Sequence, residues 1–544
     1  MKNTSCTSLR RALLSAAFAF AAASPLPAAV YTWDGGAAAA HYEWAANWSP
    51  NSVPPSSGEV VIGSAFPTGK TIDFTSQRTC AKLLFNSSAS NVHLTYGFVP
   101  PGDPKPKLTI TSGSIENAAG AVEIAVPLHL TSLGTWKVSN TFGKLTVSTP
   151  ISGPTTPGFF DALVKTGSGT LELAGNNTFN GVLWVQQGKV RLATTAAFPA
   201  NRPLIVDRYS TATNPVLELG ANVTPSVSFL RVRNALLQGG TGSSIAIADA
   251  LLMDGAEIDV VLTGSSDVAV SANAVVGLRR NNTFSGTITL GSGAELHIDT
   301  TAGLGATGNT VLVTAGEAFL VGDASNTLNS GKTLQADVGA QLVVQDFSTI
   351  NAKLKGAGVI SLRHDWPLTL NASSTFFTGH LDRDGDDLIA EVGNALGGAY
   401  RITLNGTGDL VLGANNVASS EPSFYPGNGA GLIVNSHSQD FGVFEVNNTH
   451  THVQFLHADG LSHTETHGVI HFSDIVFTGV PVANSPNLVV TGWKGVPGNA
   501  GTDDRIYCDA SLTTAELGRI RFIFASENHQ AMRLAGGELV PKPL

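Results

Sequence analysis

The chain has 544 residues, of which 42% are hydrophobic and only 13% are charged, with 59 glycines and a formal net charge of −10. This hydrophobic content excludes a disordered chain, and the length is too great for one compact core. The negative charge argues against a nucleic-acid-binding protein, because neutralising phosphates needs a basic surface. A core that grows in one dimension, layer by layer, reconciles the length with the hydrophobic content.

Residues 1–28 have the pattern of a secretory signal peptide. Three basic residues precede or flank an uncharged apolar run at positions 12–23, and small residues follow at Ala28 and Ala29. The run is too short to cross a bilayer as a helix. We therefore expect cleavage near Ala28, export to the outside of the cell or its outer surface, and no transmembrane segment in the mature chain.

Residues 29–130 are expected to form an N-terminal cap and the first coils of the fold. Three of the seven tryptophans, Trp33, Trp44 and Trp48, lie close together here. Such a cluster suits a buried plug, because the open end of a stack of strands exposes unpaired edges that need a cover. Carbohydrate binding by the three rings is the alternative interpretation.

Residues 131–420 carry degenerate repeats of short strands. One hexad occurs twice and a weaker third copy follows: Asn176-Asn177-Thr178-Phe179-Asn180-Gly181, Asn281-Asn282-Thr283-Phe284-Ser285-Gly286 and Ser373-Ser374-Thr375-Phe376-Phe377-Thr378-Gly379. Apolar and polar residues alternate around these copies, which places the apolar side chains on one face of each strand. Gly and Asn provide the sharp corners between strands. The pattern predicts an all-β fold, a parallel β-helix or β-solenoid with capping modules at both ends.

The first copy and the segment before it resemble a known family. Lys165-Thr166-Gly167-Ser168-Gly169-Thr170-Leu171-Glu172-Leu173 and the hexad at 176–181 are similar to the autotransporter-associated β-strand repeat. This resemblance implies a right-handed β-helix exposed outside the cell. Both ends, at 31–36 and 512–522, also resemble PEP-CTERM-bearing repeat proteins of Verrucomicrobia-like bacteria. The sorting helix of those proteins does not follow Val540-Pro541, so we expect the protein to be released or to be held by a partner.

Residues 421–544 are predicted to form a C-terminal β-rich module with a short helix near 513–518. Thr513 and Glu516 have the spacing of a capping box, in which each residue satisfies a backbone N–H of the other. The strand Ile520–Phe524 is expected to follow this helix and to close the solenoid.

Cys80 and Cys508 are the cysteines that remain after the leader is removed, and they lie at opposite ends of the chain. The ends of a solenoid are far apart, so a disulfide between them is not expected. Both are expected to be buried as small apolar residues.

Histidines are concentrated in the C-terminal module, where seven of the fourteen fall between His437 and His471. The candidates for a divalent-metal site are His450, His452, His463 and His467, of which the first two would share a strand face. The spacings match no standard zinc motif and no cysteine joins them, so exposed strand positions are the alternative.

An acidic segment at 382–387 is the second candidate for a metal site. Asp382, Asp384 and Asp386 are oxygen ligands of the kind that Ca²⁺ prefers. The segment fails the EF-hand template, because position six is Asp387 and position twelve is Gly393. An acidic surface turn is the alternative interpretation, and no resident cofactor is expected.

No serine-hydrolase elbow, zinc-protease helix or phosphate-binding loop occurs in the sequence. The sequence predicts a secreted or cell-surface structural or adhesin-like repeat protein without catalytic activity. Extracellular polysaccharide or other cell-surface components are the partners compatible with this function. The alternatives are an extracellular polysaccharide lyase or hydrolase built on a β-helix, and a glycan- or metal-binding module. A lateral groove lined by carboxylates would favour the lyase or hydrolase.

Overall fold

A computed structural model describes residues 28–63, 71–86, 91–97, 99, 103–154, 162–209, 214–300, 302–427, 429–446, 451–456, 468–478, 486–502, 504–524 and 527–544. These residues form a right-handed parallel β-solenoid of about 16 turns with almost no helix. The predicted all-β fold class is therefore confirmed. Among the described residues, no helix is long and apolar enough to cross a membrane.

The strands follow one another along the whole described chain. The first are β1 Val30–Trp33, β2 Trp48–Ser49, β3 Glu59–Ile62, β4 Thr71–Phe74, β5 Arg78–Phe85, β6 Val92–Tyr96, β7 Leu108–Asn117, β8 Ala121–Ile124, β9 Leu128–Leu130, β10 Thr135–Val138, β11 Lys144–Val147 and β12 Ile151–Ser152. The middle strands are β13 Ala162–Thr166, β14 Thr170–Leu173, β15 Val182–Val185, β16 Lys189–Leu192, β17 Arg202–Asp207, β18 Val216–Leu219, β19 Ser226–Gly239, β20 Ser244–Asp259, β21 Val261–Gly264, β22 Asp267–Val270, β23 Val275–Leu278, β24 Thr287–Leu290, β25 Glu295–Ile298, β26 Thr310–Val313, β27 Gly316–Leu328, β28 Thr333–Ala336, β29 Ala340–Ile350, β30 Lys353–Gly356, β31 Val359–His364, β32 Leu368–Leu370 and β33 Phe376–Phe377. The last are β34 His380–Gly385, β35 Leu388–Ala390, β36 Arg401–Leu404, β37 Leu410–Leu412, β38 Ser423–Tyr425, β39 Gly431–Asn435, β40 Gln439–Val446, β41 Thr451–Leu456, β42 Val469–Phe477, β43 Leu488–Thr491, β44 Arg505–Cys508, β45 Ile520–Phe524, β46 Glu527–Arg533 and β47 Leu539–Pro541.

Strands of successive coils pair in parallel and in register, so that like residues stack along the axis. Leu145 of β11 pairs with Leu171 of β14, which pairs with Val190 of β16 and then Leu217 of β18. All four side chains are buried. Because neighbouring strands lie about 4.8 Å apart, each coil adds one apolar layer to a continuous core. The period of two in the sequence therefore corresponds to an inward and an outward face on each strand.

Several strands are longer than the sequence pattern predicts. Ser226–Gly239 and Ser244–Asp259 run for 14 and 16 residues. Each bends at one residue in the left-handed region, Asn234 with φ 46° and Gly255 with φ 66°. A single left-handed residue is enough to turn the corner, so the strand does not end there.

The second residue of the repeated hexad joins three successive coils inside the core. Asn177 is buried, its Oδ1 accepts from the N–H of Ile151 at 2.9 Å, and its Nδ2 donates to the carbonyl of Ala197 at 2.6 Å. In the second copy, Asn282 makes the equivalent bonds to Leu262 and Gly303. The recurrence of the hexad is thus explained by one buried amide that satisfies backbone groups above and below it.

The weaker third copy retains half of this arrangement. The hydroxyl of Ser374 accepts from the N–H of Leu354 at 2.9 Å, in the manner of the amide oxygens of the first two copies. The buried phenyl ring is supplied by Phe377, whereas Phe376 is exposed. The additional residue in this copy therefore shifts the apolar position by one.

Glycine corners of the repeat are constrained by the coil below. Gly167 has φ 76°, and a Cβ atom there would overlap the carbonyl oxygen of Val138. We expect Gly167→Ala to lower the free energy of unfolding by about 2 kcal/mol, because the substitution adds left-handed strain to a steric overlap. Gly120→Ala is the matched control, since a Cβ there meets no atom within 4 Å. Denaturant unfolding of both variants measures the difference, and equal losses would contradict this account.

The N-terminal end is closed by aromatic rings, although only two of the three tryptophans predicted to form the plug take part. Trp33 and Trp48 are buried and meet edge to face with ring centroids 5.0 Å apart. The indole N–H of Trp48 donates to the carbonyl of Tyr42 at 2.8 Å. Trp44 does not belong to this plug, because 44% of it is exposed and its ring contacts His41 at the surface.

The C-terminal end is closed by antiparallel strands. The helix α1, Thr514–Leu517, begins with the predicted capping box between Thr513 and Glu516. The strand Ile520–Phe524 then follows as predicted, and it pairs in parallel with β43 but antiparallel with β46. The antiparallel strands β46 and β47 cover the last parallel coil, which would otherwise present an open edge.

The parallel ladder does not break near residue 420, where the sequence placed the start of a C-terminal module. Strand β37 pairs with β39, β39 with β41, β41 with β43 and β43 with β45. The solenoid therefore continues through this boundary almost to the C terminus. Cys80 and Cys508 are both buried and free, in agreement with the prediction.

Candidate functional site

The three aspartates predicted as calcium ligands lie on and just after β34. Asp382 and Asp384 point outward, and Asp386 follows in the corner before β35. The Asp382 carboxylate accepts hydrogen bonds from the hydroxyl of Ser361 at 3.1 Å and from the amide of Asn405 at 2.5 Å. Asp382 is therefore engaged by neighbouring coils.

The residue between these aspartates, Arg383, points into the core and is fully buried. Its guanidinium donates to the backbone carbonyls of Leu362, Asp384 and Trp366. Burial lowers the pKa of Arg383 to about 10, and the nearby aspartates oppose this shift, Asp386 most strongly. The acidic corner thus surrounds an internal cation. Across the described ranges, no group of three or more His, Cys, Asp or Glu side chains is placed to hold a metal ion.

Of the four histidines predicted as metal ligands, His452 lies within the described residues. His450, His463 and His467 lie outside them. The Nε2 atom of His452 is 3.1 Å from Oδ2 of Asp409, and Oδ1 of the same carboxylate accepts from the N–H of Gly431. The Asp409 N–H donates in turn to Asp387. The hydrogen bonds from Asp387 through Asp409 to Gly431 and His452 therefore link four successive coils.

Among the described residues, two buried lysines donate to backbone carbonyls inside the core, and the sequence analysis did not predict this role. Lys165 is buried, and its Nζ donates to the carbonyls of Thr166, Gly167 and Gln187 at 2.8, 2.7 and 3.0 Å. Lys332 donates in the same way to two carbonyls of the preceding coil. Burial lowers the pKa of Lys165 to about 7. The signal was present in the sequence, since Lys165 shares the inward face with Leu163.

Charged residues on the outer face of the same region neutralise one another. The Glu172 carboxylate lies 2.8 Å from the Arg191 guanidinium and 3.1 Å from the Lys144 ammonium. Glu218 continues the column, 3.0 Å from Arg191 and 2.7 Å from Lys189. The cations of these pairs are exposed to solvent, and ion pairs at such a surface contribute little stability individually. Each of the two carboxylates therefore lies between two cations of this column.

A polar groove of about 680 Å³ opens on the C-terminal half of the solenoid. It crosses three successive coils and is lined by Asn394, Asn416, Ala418, Ser419, Ser420, Glu421, Gln439 and Asp440. Gln439 is buried, and its amide oxygen accepts from the N–H of Ala418, which ties two of the coils together. The groove therefore has a floor that is hydrogen-bonded between coils and a rim of amide, hydroxyl and carboxylate groups. The groove was not predicted from the sequence, because its lining comes from three segments, at 394, 416–421 and 439–440, that are about one coil apart in the chain.

Comparison with known proteins gives one family match. The model of the passenger-associated-transport-repeat family matches residues 163–192. This segment holds Lys165, Gly167 and Asn177, whose structural roles are described above. No curated protein and no solved structure matches the chain. The match fits an autotransporter-associated repeat protein, a group that suggests a secreted or cell-surface location.

Proposed function

We propose that this protein is a secreted or cell-surface repeat protein with a structural or adhesin-like role and without catalytic activity. The observation that carries the proposal is a parallel stack of about 16 turns, covered at both ends, with a passenger-type repeat in its first half. A stack of this kind presents long lateral faces to the surroundings, and its ends are protected from adding further chains.

Extracellular polysaccharide or other cell-surface components are the proposed partners. The leader-like segment at 1–28 supports export. The similarity of both ends to PEP-CTERM-bearing repeat proteins supports a surface role in a bacterium of that kind. A polysaccharide lyase or hydrolase is the second candidate, and Glu421 and Asp440 at one groove are the observation that favours it. A lyase also needs a basic residue near the carboxylates, and the described side chains that line this groove include none, so the hydrolase is the better supported of the two.

Export is tested by expressing the full chain with its own leader in a Gram-negative host. We expect the protein outside the cytoplasm, with a mature N terminus near Ala29 by mass spectrometry. Leu14→Arg places a charge in the apolar run and is expected to retain the full-length protein inside the cell, whereas Thr7→Ser is the matched control. Retention of the unaltered protein in the cytoplasm would contradict the proposal.

Catalysis is tested on the purified protein with neutral, amine-bearing and acidic polysaccharides. We expect neither new reducing ends nor the unsaturated products of a lyase. Turnover that is abolished by Glu421→Gln or Asp440→Asn, with the fold retained, would replace the scaffold proposal by the hydrolase or lyase.

A further inference from the structure

We propose that the groove at 394–440 binds a polysaccharide without acidic groups, with its chain laid along the solenoid axis. This inference deepens the proposed surface role and rests on it. It assigns the ligand class and the residues that contact the ligand.

The first argument is the regular stacking of polar residues across the groove. The N–H of Asn394 donates to the carbonyl of Asn416 at 2.8 Å, and the N–H of Asn416 donates to the carbonyl of Ser438 at 2.9 Å. Equivalent side chains therefore recur once per coil, at about the 4.8 Å separation of paired strands. This repeat is close to the length of one pyranose unit in an extended polysaccharide. The polar side chains of each coil can therefore contact one sugar ring.

The second argument is that the amides of this stack are available. Neither Asn394 nor Asn416 makes a side-chain hydrogen bond to another described residue, in contrast to the buried amides of Asn177 and Asn282. Both groove asparagines have left-handed backbones, with φ 58° and 51°. The left-handed conformation accounts for Asn or Gly at these positions, and the amide adds a donor and an acceptor that glycine would lack.

The third argument concerns charge and selectivity. Glu421 and Asp440 are exposed at the rim, and neither forms an ion pair with any described residue. Carboxylates accept hydrogen bonds from sugar hydroxyls or amines, whereas they repel a polyanion. The groove therefore selects against acidic polysaccharides.

An exposed ring lies next to this polar rim. Tyr400 is 59% exposed. The Ser420 hydroxyl donates to the carbonyl of Ala399, and the N–H of Ser423 donates to that of Tyr400, so the coil that carries the ring is held against the groove wall. An exposed tyrosine of this kind offers an apolar face for the C–H groups of a sugar and a hydroxyl at its edge.

The experiment uses titration calorimetry with the full chain and oligosaccharides of three chemistries. Laminarin oligomers are neutral, chitosan oligomers carry amines and alginate oligomers carry carboxylates. We expect at least one of the first two to bind, and alginate to bind about tenfold more weakly or not at all. Failure of both non-acidic polymers to bind, or equal binding of alginate, would overturn the inference.

A double variant separates the amides from the backbone that carries them. Asn394→Gly with Asn416→Gly keeps both left-handed conformations and removes both amides, so binding is expected to weaken about tenfold without a loss of thermal stability. Asn91→Gly is the matched control, because Asn91 is exposed and also left-handed with φ 50° but lies far from the groove in the chain. Unchanged binding by the double variant would overturn the site. If the protein is exported but binds no sugar, the binding site is wrong and the proposed surface role is unaffected.

Discussion

Asn177→Ala is expected to lower the free energy of unfolding by about 3 kcal/mol, one of the two largest effects of a single substitution that we predict. The buried amide satisfies the N–H of Ile151 in one coil and the carbonyl of Ala197 in another. Alanine would leave both backbone groups buried without a partner, and each unsatisfied group costs about 1–3 kcal/mol. Water cannot replace the amide without opening the layer that contains Phe179.

A graded series of variants identifies the origin of this loss. Asn282→Ala is expected to match Asn177→Ala, because its bonds to Leu262 and Gly303 are equivalent. Ser374→Ala is expected to cost about 1 kcal/mol, since the hydroxyl accepts one bond from the backbone of the neighbouring coil. Asn176→Ala is the matched control, because this neighbouring asparagine is exposed. Denaturant unfolding monitored by circular dichroism gives the ranking, and equal losses at Asn176 and Asn177 would refute the bridging role.

Lys165 is expected to make the stability of the solenoid rise with pH above neutrality. Burial lowers its folded-state pKa to about 7, whereas an unfolded chain keeps a lysine pKa of about 10.4. Between these values the unfolded state binds more protons than the folded state, so the free energy of unfolding increases with pH. The slope for one proton is about 1.4 kcal/mol per pH unit at most. The destabilising effect of the buried charge is fully present below about pH 7.

The comparison of Lys165→Met with the unaltered protein isolates this effect. Methionine keeps the length of the side chain but does not titrate, so the stability difference in favour of lysine should grow by about 1 kcal/mol per pH unit between pH 7.5 and 9.5. At the higher pH the neutral amine can still donate to two of the three carbonyls around it, whereas methionine leaves all three without a donor. Lys189→Met removes a lysine from the outer face of the same repeat and is the matched control. A difference that stays constant over this range would show that Lys165 has an ordinary pKa in the folded protein.

The local elements of this fold were predictable because strand periodicity and corner residues act over a few residues. Alternation in Lys189-Val190-Arg191-Leu192 identified the buried face, and the spacing of Thr513 and Glu516 identified α1. The repeated hexad indicated a structural motif. Its function as a bridge between coils was not apparent, because the partners of Asn177 lie 26 residues before it and 20 after it.

The positions that meet across coils could not be predicted, because the coil length varies along the chain. The bond from Val469 to Ser438 spans 31 residues, whereas that from Ala418 to Gln439 spans 21. A residue therefore has no fixed offset to its neighbour in the next coil. For this reason Trp44 was assigned to the plug although it is exposed, and the polar groove was not foreseen.

The sequence by itself determined that the described chain forms a stack of parallel strands with left-handed corners, a capped C-terminal helix and two unpaired cysteines. These properties depend on backbone preferences and on burial, which short segments of sequence express directly. The tertiary structure alone decided which polar side chains share a layer. It placed Lys165 and Arg383 inside the core, paired Glu172 with Arg191, and aligned Asn394 with Asn416 at the groove. The physical reason is that register between coils is set by packing over the whole length of each turn.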